Sequence, residues 1–433
     1  MPLGPQMKRR NLCFLFLVVL SCSKPPDAPK DDPKLDRIFQ FPGTASLSSS
    51  DLDPIRTTIG EKRVVMMGEA IQGTGDLARV RERLIHNLHE GGDFNLLLFE
   101  GSPIEFWIAE EEYFSTKRGV NSSGDFQRTA LPGVWQTEEV RSVLEYALSS
   151  QAGVGSSDLY LSSYGVQIGL GQRFSQGKSV FEALTGLLQN RDKRISHAEQ
   201  EAIAALDSLV SCKEKKFPDS EEHYAQAEQG ISVLSQVVAR TARDSSKDLH
   251  EKALTLLPKA ASYSLEFCRE ANENTRNYNE VRDEWASKLF TDLFSTLNQK
   301  AFVWAQSAQI RQSQRKEGRM SFGAYARGAF PDEIFSIHFT AGSGRAIAFT
   351  NEKGKAIEPT EKLLPPVEKV SLERKLSDLS AMDFFIAAKS LPGGFAAEET
   401  TRSEPEGLTT IDPRKDFDGY YFVQTVSSPA LRR

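Results

Sequence analysis

The chain has 433 residues, 39% of them hydrophobic and 26% charged, with a formal net charge of −6. That is enough apolar material for a sizeable core, and it fits one large or two modest domains. A net negative charge without a long run of Lys or Arg in the body excludes the electrostatic footprint of a nucleic-acid binder.

The amino terminus carries Lys8-Arg9-Arg10, an apolar run from Leu12 to Leu20, and then Ser21-Cys22. A basic segment, a short apolar segment and a small residue form the layout of a secretory signal peptide, and the run is shorter than the roughly 20 residues that span a bilayer. Val19-Leu20-Ser21-Cys22 resembles a bacterial lipobox, which implies a signal over residues 1–22, acylation of Cys22 and a membrane partner reached through that lipid. The expected address is the cell envelope. Residues 23–45 open with SKPPDAPKDDPKLD, a Pro-, Lys- and Asp-rich stretch read as a flexible tether, and residues 46–433 form the body.

Within the body, Arg63 to Glu69 reads as a buried parallel strand, Asp76 to His89 as an amphipathic helix and Asn95 to Glu100 as a second strand beside the first, a βαβ crossover. Further apolar runs at Leu159 to Gly165, Ala301 to Ala305, Glu333 to Phe339, Asp383 to Ala388 and Tyr420 to Val426 complete an α/β fold with a mostly parallel central sheet flanked by helices. Residues 173–297 are rich in Ala, Glu, Leu, Gln and Lys at helical spacing and predict a large helical insertion, broken near Lys213 to Ser220. Leu391 to Phe417 lacks any period and reads as a long loop, and Gly342-Ser343-Gly344 reads as a turn. Once Cys13 leaves with the signal and Cys22 is acylated, Cys212 and Cys268 either pair in an oxidising compartment or stand as two separate buried thiols.

Glu69 and Glu100 end two predicted strands at the edge where open parallel sheets bind ligands, and Arg81 on the intervening helix can reach back to them. Two carboxylates about one guanidinium make either an acid/base set or a structural ion-pair network. The stretch Gly68-Glu69-Ala70-Ile71-Gln72-Gly73-Thr74 resembles the GEAxHGT signature of the erythromycin esterase family. Phe302 to Gln309 resembles that family's VWAHNxH block, Arg282-Asp283-Glu284-Trp285-Ala286 its RDxxMA block, and Phe417 to Val423 its closing FDxxxxV.

The resemblance implies an ester- or lactone-hydrolase fold with Glu69, Arg81 and Glu100 in the catalytic positions. Where the family has histidines this chain has Gln72, Gln306 and Gln309, and Gly165 stands where it has an Asp. A glutamine amide forms hydrogen bonds but takes no proton from water near neutral pH, so the expectation is a degenerate enzyme whose cleft, lined by these glutamines, binds a small polar or glycosylated ligand or a partner. Two alternatives are an altered hydrolase using Glu69 or Glu100 as general base, and a purely structural or assembly lipoprotein. No metal and no cofactor are expected. His86 and His89 share one helical face, His338 lies on a strand as a core residue, and His197, His223 and His250 are scattered through the insertion.

Overall fold

The computed structural model describes residues 38–115, 122–152, 158–175, 179–210, 221–243, 248–273, 276–313, 319–350, 358–395, 397–403 and 407–431. The expected signal segment, Cys22, the expected tether as far as residue 37, Cys212 and the expected break near Lys213 to Ser220 lie outside them.

Eleven strands carry the described fold: β1 (Ile38–Phe41), β2 (Val64–Glu69), β3 (Phe94–Phe99), β4 (Tyr160–Ser163), β5 (Lys300–Gln306), β6 (Ile334–Thr350), β7 (Glu358–Leu363), β8 (Asp383–Ala387), β9 (Glu399–Arg402), β10 (Leu408–Ile411) and β11 (Gly419–Val426). The main sheet runs β1-β8-β11-β6-β2-β5-β3-β4, with β7 paired to the far half of β6. The strands from β11 to β4 are parallel to one another, whereas β8 is antiparallel to β11 and β1 to β8. The fold is therefore α/β with a mostly parallel sheet.

Helix α1 (Asp53–Ile59) precedes β2, α2 (Gly75–Gly92) joins β2 to β3, and α3 (Pro103–Ser115), α4 (Ser123–Ala130) and α5 (Glu138–Ala152) join β3 to β4. The insertion holds α6 (Gln172–Ser175), α7 (Val180–Arg191), α8 (His197–Ala204), α9 (Leu206–Leu209), α10 (Glu221–Thr241), α11 (Leu249–Glu273) and α12 (Tyr278–Leu297). After β5 come α13 (Ser307–Ile310), α14 (Phe322–Ala329) and α15 (Leu372–Ser377).

The sheet is covered on both faces, which is why its central strands read as continuous apolar runs. Val64 and Met66 of β2, Leu96 and Leu98 of β3 and Val303 of β5 enter one core with the insertion helices. Val65, Met67, Leu97, Phe99 and Trp304 point the other way, into a core shared with α2 and α5. Successive side chains on a strand alternate faces, so one run feeds both layers.

Four expectations are corrected. First, β2 and β3 are not neighbours, because β5 lies between them and pairs with both. Second, the body starts inside the expected tether: Ile38 to Phe41 adds an antiparallel edge to β8, with Ile38 opposite Ile386 and Phe41 opposite Asp383. Third, the 391–417 stretch contains the β9–β10 hairpin, where Thr401 faces Thr409 and Thr400 faces Thr410; threonine pairs suit a pleated surface, and four-residue strands are too short to register as a period. Fourth, Gly342-Ser343-Gly344 lies within β6, with Ser343 opposite Thr425. Gly344 has φ +124°, and a Cβ there would stand 1.9 Å from the Val426 carbonyl oxygen, so glycine marks a close strand approach and not a turn. Cys268 is disulfide-bonded. Among the described residues no helix is long and apolar enough to cross a membrane.

Candidate functional site

The carboxyl ends of β2, β5 and β3 lie side by side and present Glu69, Gln306 and the residue after Phe99, which is Glu100. Behind β2 the chain turns through Gly73, whose φ of +74° and whose 2.2 Å approach of a Cβ to the Ile347 carbonyl oxygen admit only glycine. Thr74 then opens the way into α2, which carries Arg81 back beneath the strand end.

Among the described residues Arg81 pairs with the Glu69 carboxylate and not with Glu100. Its guanidinium lies 2.5 Å from Glu69 Oε2, both side chains are almost wholly buried (1% and 4% exposed), and the Trp304 ring lies 3.6 Å from the guanidinium carbon. Burial pushes the Glu69 carboxyl above its ordinary range while the Arg81 charge opposes that shift. The acid/base set expected of Glu69 and Glu100 about Arg81 is thereby corrected: β5 separates the two carboxylates, and each has its own cation.

Glu100 belongs to a different constellation. Gln309 Nε2 donates to Glu100 Oε1 at 2.5 Å, and Arg282 Nη1 lies 3.5 Å from the same oxygen. Gln309 is held in turn by its other end, whose Oε1 accepts the Gln306 backbone N–H at 3.2 Å. Gln306 and Gln309 thus form a reciprocal cap on the single turn of α13. Arg282 binds its neighbour Asp283 through Nε (3.1 Å) and Nη2 (2.8 Å). Burial works against the Arg282 charge, but Glu100 and Asp283 hold its pKa above the ordinary value. Burial raises the Asp283 carboxyl, with Arg282 opposing.

These groups line a narrow pocket at the ends of β3 and β4, together with Tyr164, Gly165, Gln167 and Phe322. Its free volume of about 10 Å³ is room for about one water. The Gly165 N–H donates to the Gly101 carbonyl at 2.7 Å, and a Cβ on Gly165 would meet that oxygen at 2.8 Å, so the position takes no side chain. Of the six residues singled out in the sequence, Glu100 and Gln309 line this pocket. Gln306 supports it from the β5 end, Glu69 and Arg81 form the separate buried pair, and half-buried Gln72 is not among the lining residues. Arg282 and Asp283 were visible in the sequence only as members of a motif block, and the signal that could have found them was Arg and Asp at the start of a helix preceding a strand of the ligand edge; Tyr164, next to Gly165, gave no such signal.

The histidines hold one surprise. His250 of α11 sits between Glu110 and Glu111 of α3, with Nδ1 2.7 Å and Nε2 2.8 Å from their carboxylates, and stacks on Trp107 at 5.3 Å. Arg191 of α7 adds pairs to Glu111 (2.6 Å) and Glu251 (2.7 Å). Burial disfavours the imidazolium, but the two carboxylates hold His250 up at about 9. His338 is buried in β6, where burial and then the Arg311 charge pull it down to about 3, and His86 stacks on Tyr146 at 3.6 Å. Among the described residues no group of three His, Cys, Asp or Glu could hold a metal ion.

A family model for erythromycin esterase matches residues 90–427. The chain belongs to the erythromycin esterase family. The matched residues begin downstream of Glu69, Gln72 and Arg81, so the match does not reach those three. Among curated proteins, a putative hydrolase of Bacillus subtilis, YbfO, is 26% identical over 112 residues, and the alignment spans about a quarter of each protein (26% of this chain, 24% of the relative). Three solved structures share the fold. A Bacillus cereus protein superposes with a TM-score of 0.72 at 15% identity over 92% of this chain and 97% of its own. A succinoglycan biosynthesis protein gives 0.70 at 15% identity over the same shares, and a histidine-to-asparagine mutant of erythromycin esterase EreC in its open conformation gives 0.62 at 16% identity over 90% and 97%.

Proposed function

We propose that this erythromycin esterase-like, hydrolase-fold protein binds a small polar or glycosylated ligand at the Glu100 pocket without hydrolysing it, and that it is held on the envelope membrane by acylation of Cys22. The observation that carries the reading is Gln309. It occupies a family histidine position, contacts the pocket carboxylate and has both ends of its amide committed to hydrogen bonds. General-base catalysis contributes about 10²- to 10⁴-fold, and an amide supplies none of it. Glu69, the more strongly desolvated carboxylate, is paired with Arg81 and lies outside the pocket lining, so of the two strand-end carboxylates Glu100 is the one placed to act as a replacement base.

The test compares the wild-type chain with a variant carrying Gln72→His, Gln306→His and Gln309→His against ester and lactone substrates over a range of pH. The wild type is expected to be inert, with turnover gained only by the variant. Wild-type turnover that disappears in Glu100→Gln would establish the altered hydrolase instead. For the anchor, incorporation of labelled palmitate into the wild type and its loss in Cys22→Ser is the expected result; equal labelling of both would remove the acylation proposal.

A further inference from the structure

The pocket has one buried polar atom left over. Tyr164 is 1% exposed, its ring stacks on Phe322 at 4.4 Å, and its hydroxyl has no hydrogen-bond partner among the described residues. It lines the same small space as Glu100, Arg282, Asp283 and Gln309. A buried hydroxyl without a partner costs about 1–3 kcal/mol, so the phenol is set to be met by a group that enters the pocket, either a water or a ligand hydroxyl that displaces it.

The surrounding charges decide which group that is. Arg282 is engaged with two carboxylates, so Arg282, Glu100 and Asp283 sum to a net negative charge that disfavours an anion. Burial, then Glu100 and Asp283, push the Tyr164 phenol well above its ordinary value, so it stays protonated and can donate. An ammonium has no lone pair to accept that donation. A hydroxyl accepts from the phenol and donates to the Glu100 carboxylate, and it fits a space sized for about one water.

We infer that Tyr164 and Glu100 form a hydroxyl-binding subsite, so that the ligand of this pocket is a neutral alcohol or polyol, such as a sugar, which inserts one hydroxyl between them. The inference rests on the binding reading above and names its ligand class. Tyr164 is then a specificity-determining residue: its phenol selects a group that both accepts and donates.

Saturation-transfer NMR on the full chain tests this with ethylene glycol and methyl β-D-glucopyranoside, beside the fully O-methylated glucoside as a control that accepts but cannot donate. Both hydroxylated probes are expected to bind and the methylated one to fail. Tyr164→Phe should weaken binding by about ten-fold while leaving the thermal unfolding midpoint of the free protein in place or raising it, since the phenol has no protein partner to lose. Equal binding by wild type and Tyr164→Phe, equal binding of the methylated control, or no binding of either hydroxylated probe would overturn the subsite. Ester turnover by the wild type would sink the non-catalytic reading but leave the subsite standing, so the two failures are distinguishable.

Discussion

Glu69 and Glu100 occupy equivalent places, each at the carboxyl end of a strand flanking β5 and each beside an arginine, yet they do opposite things. Glu69 and Arg81 are 4% and 1% exposed and touch at 2.5 Å, whereas Glu100 and Arg282 are 18% and 20% exposed and stand 3.5 Å apart. Position on the ligand edge of a parallel sheet is therefore not enough to make a carboxylate functional. What separates them is space: Glu69 is closed in by its cation and by Trp304 behind it, with Arg81 Nη1 left without a partner among the described residues, while Glu100 faces a pocket lined by a phenol in the same condition.

The sharpest way to break this contrast is to remove each cation or partner in turn. Arg81→Met leaves Glu69 charged and buried without compensation, and breaking a buried pair in this way costs about 3–5 kcal/mol. Urea unfolding at pH 8 should show that loss. At pH 5 the deficit should shrink, because the bared Glu69 carboxyl, raised by burial, takes a proton and removes the uncompensated charge. Adding Glu69→Gln to Arg81→Met should recover part of the loss. A cost below about 1 kcal/mol for Arg81→Met would show that the pair is not a lock.

Much of this was legible in the residues themselves. The runs at Val64–Glu69, Phe94–Phe99 and Lys300–Gln306 announce strands buried on both faces, and the Ala- and Glu-rich stretch announces the helical layer. Strand order was not legible, because nothing local to Glu69 or Glu100 reports that a strand more than 200 residues downstream slides between them. For the same reason the sequence assigned Arg81 to both carboxylates. Nor does the spacing of His250 reveal Glu110 and Glu111, which lie about 140 positions away and meet it only because α3 packs against α11. Gln309 was found because a motif flagged it; Tyr164 was passed over because an apolar strand end looks like core until its hydroxyl is seen to lack a partner.

The helical layer extends the comparison to a cation that titrates. His250 is held at about 9 against an unfolded reference near 6.5, so its bridge to Glu110 and Glu111 contributes fully below about pH 6.5 and is lost as pH rises through about 9. The full contribution is on the order of 3 kcal/mol. Denaturant unfolding at pH 6.5, 8 and 9.5 should show wild-type stability falling across that window, and His250→Gln should be weaker at pH 6.5 but flatter with pH. The Arg81 lock offers a much weaker slope in that window, since burial lowers the guanidinium only to about 10. Parallel pH profiles for wild type and His250→Gln would mean that the imidazolium bridge does not stabilise the fold.

The smallest effect belongs to the pocket itself. Gln309→Ala removes the donor to Glu100 and the acceptor for the Gln306 N–H, but both orphans keep recourse: Glu100 is 18% exposed and has Arg282 beside it, and the capped helix is a single turn. The loss should be about 1 kcal/mol in thermal or denaturant unfolding, several-fold less than for Arg81→Met. If Gln309→Ala proved as costly as Arg81→Met, Glu100 would be a second lock rather than a group held ready for a ligand, and the contrast between the two strand ends would collapse.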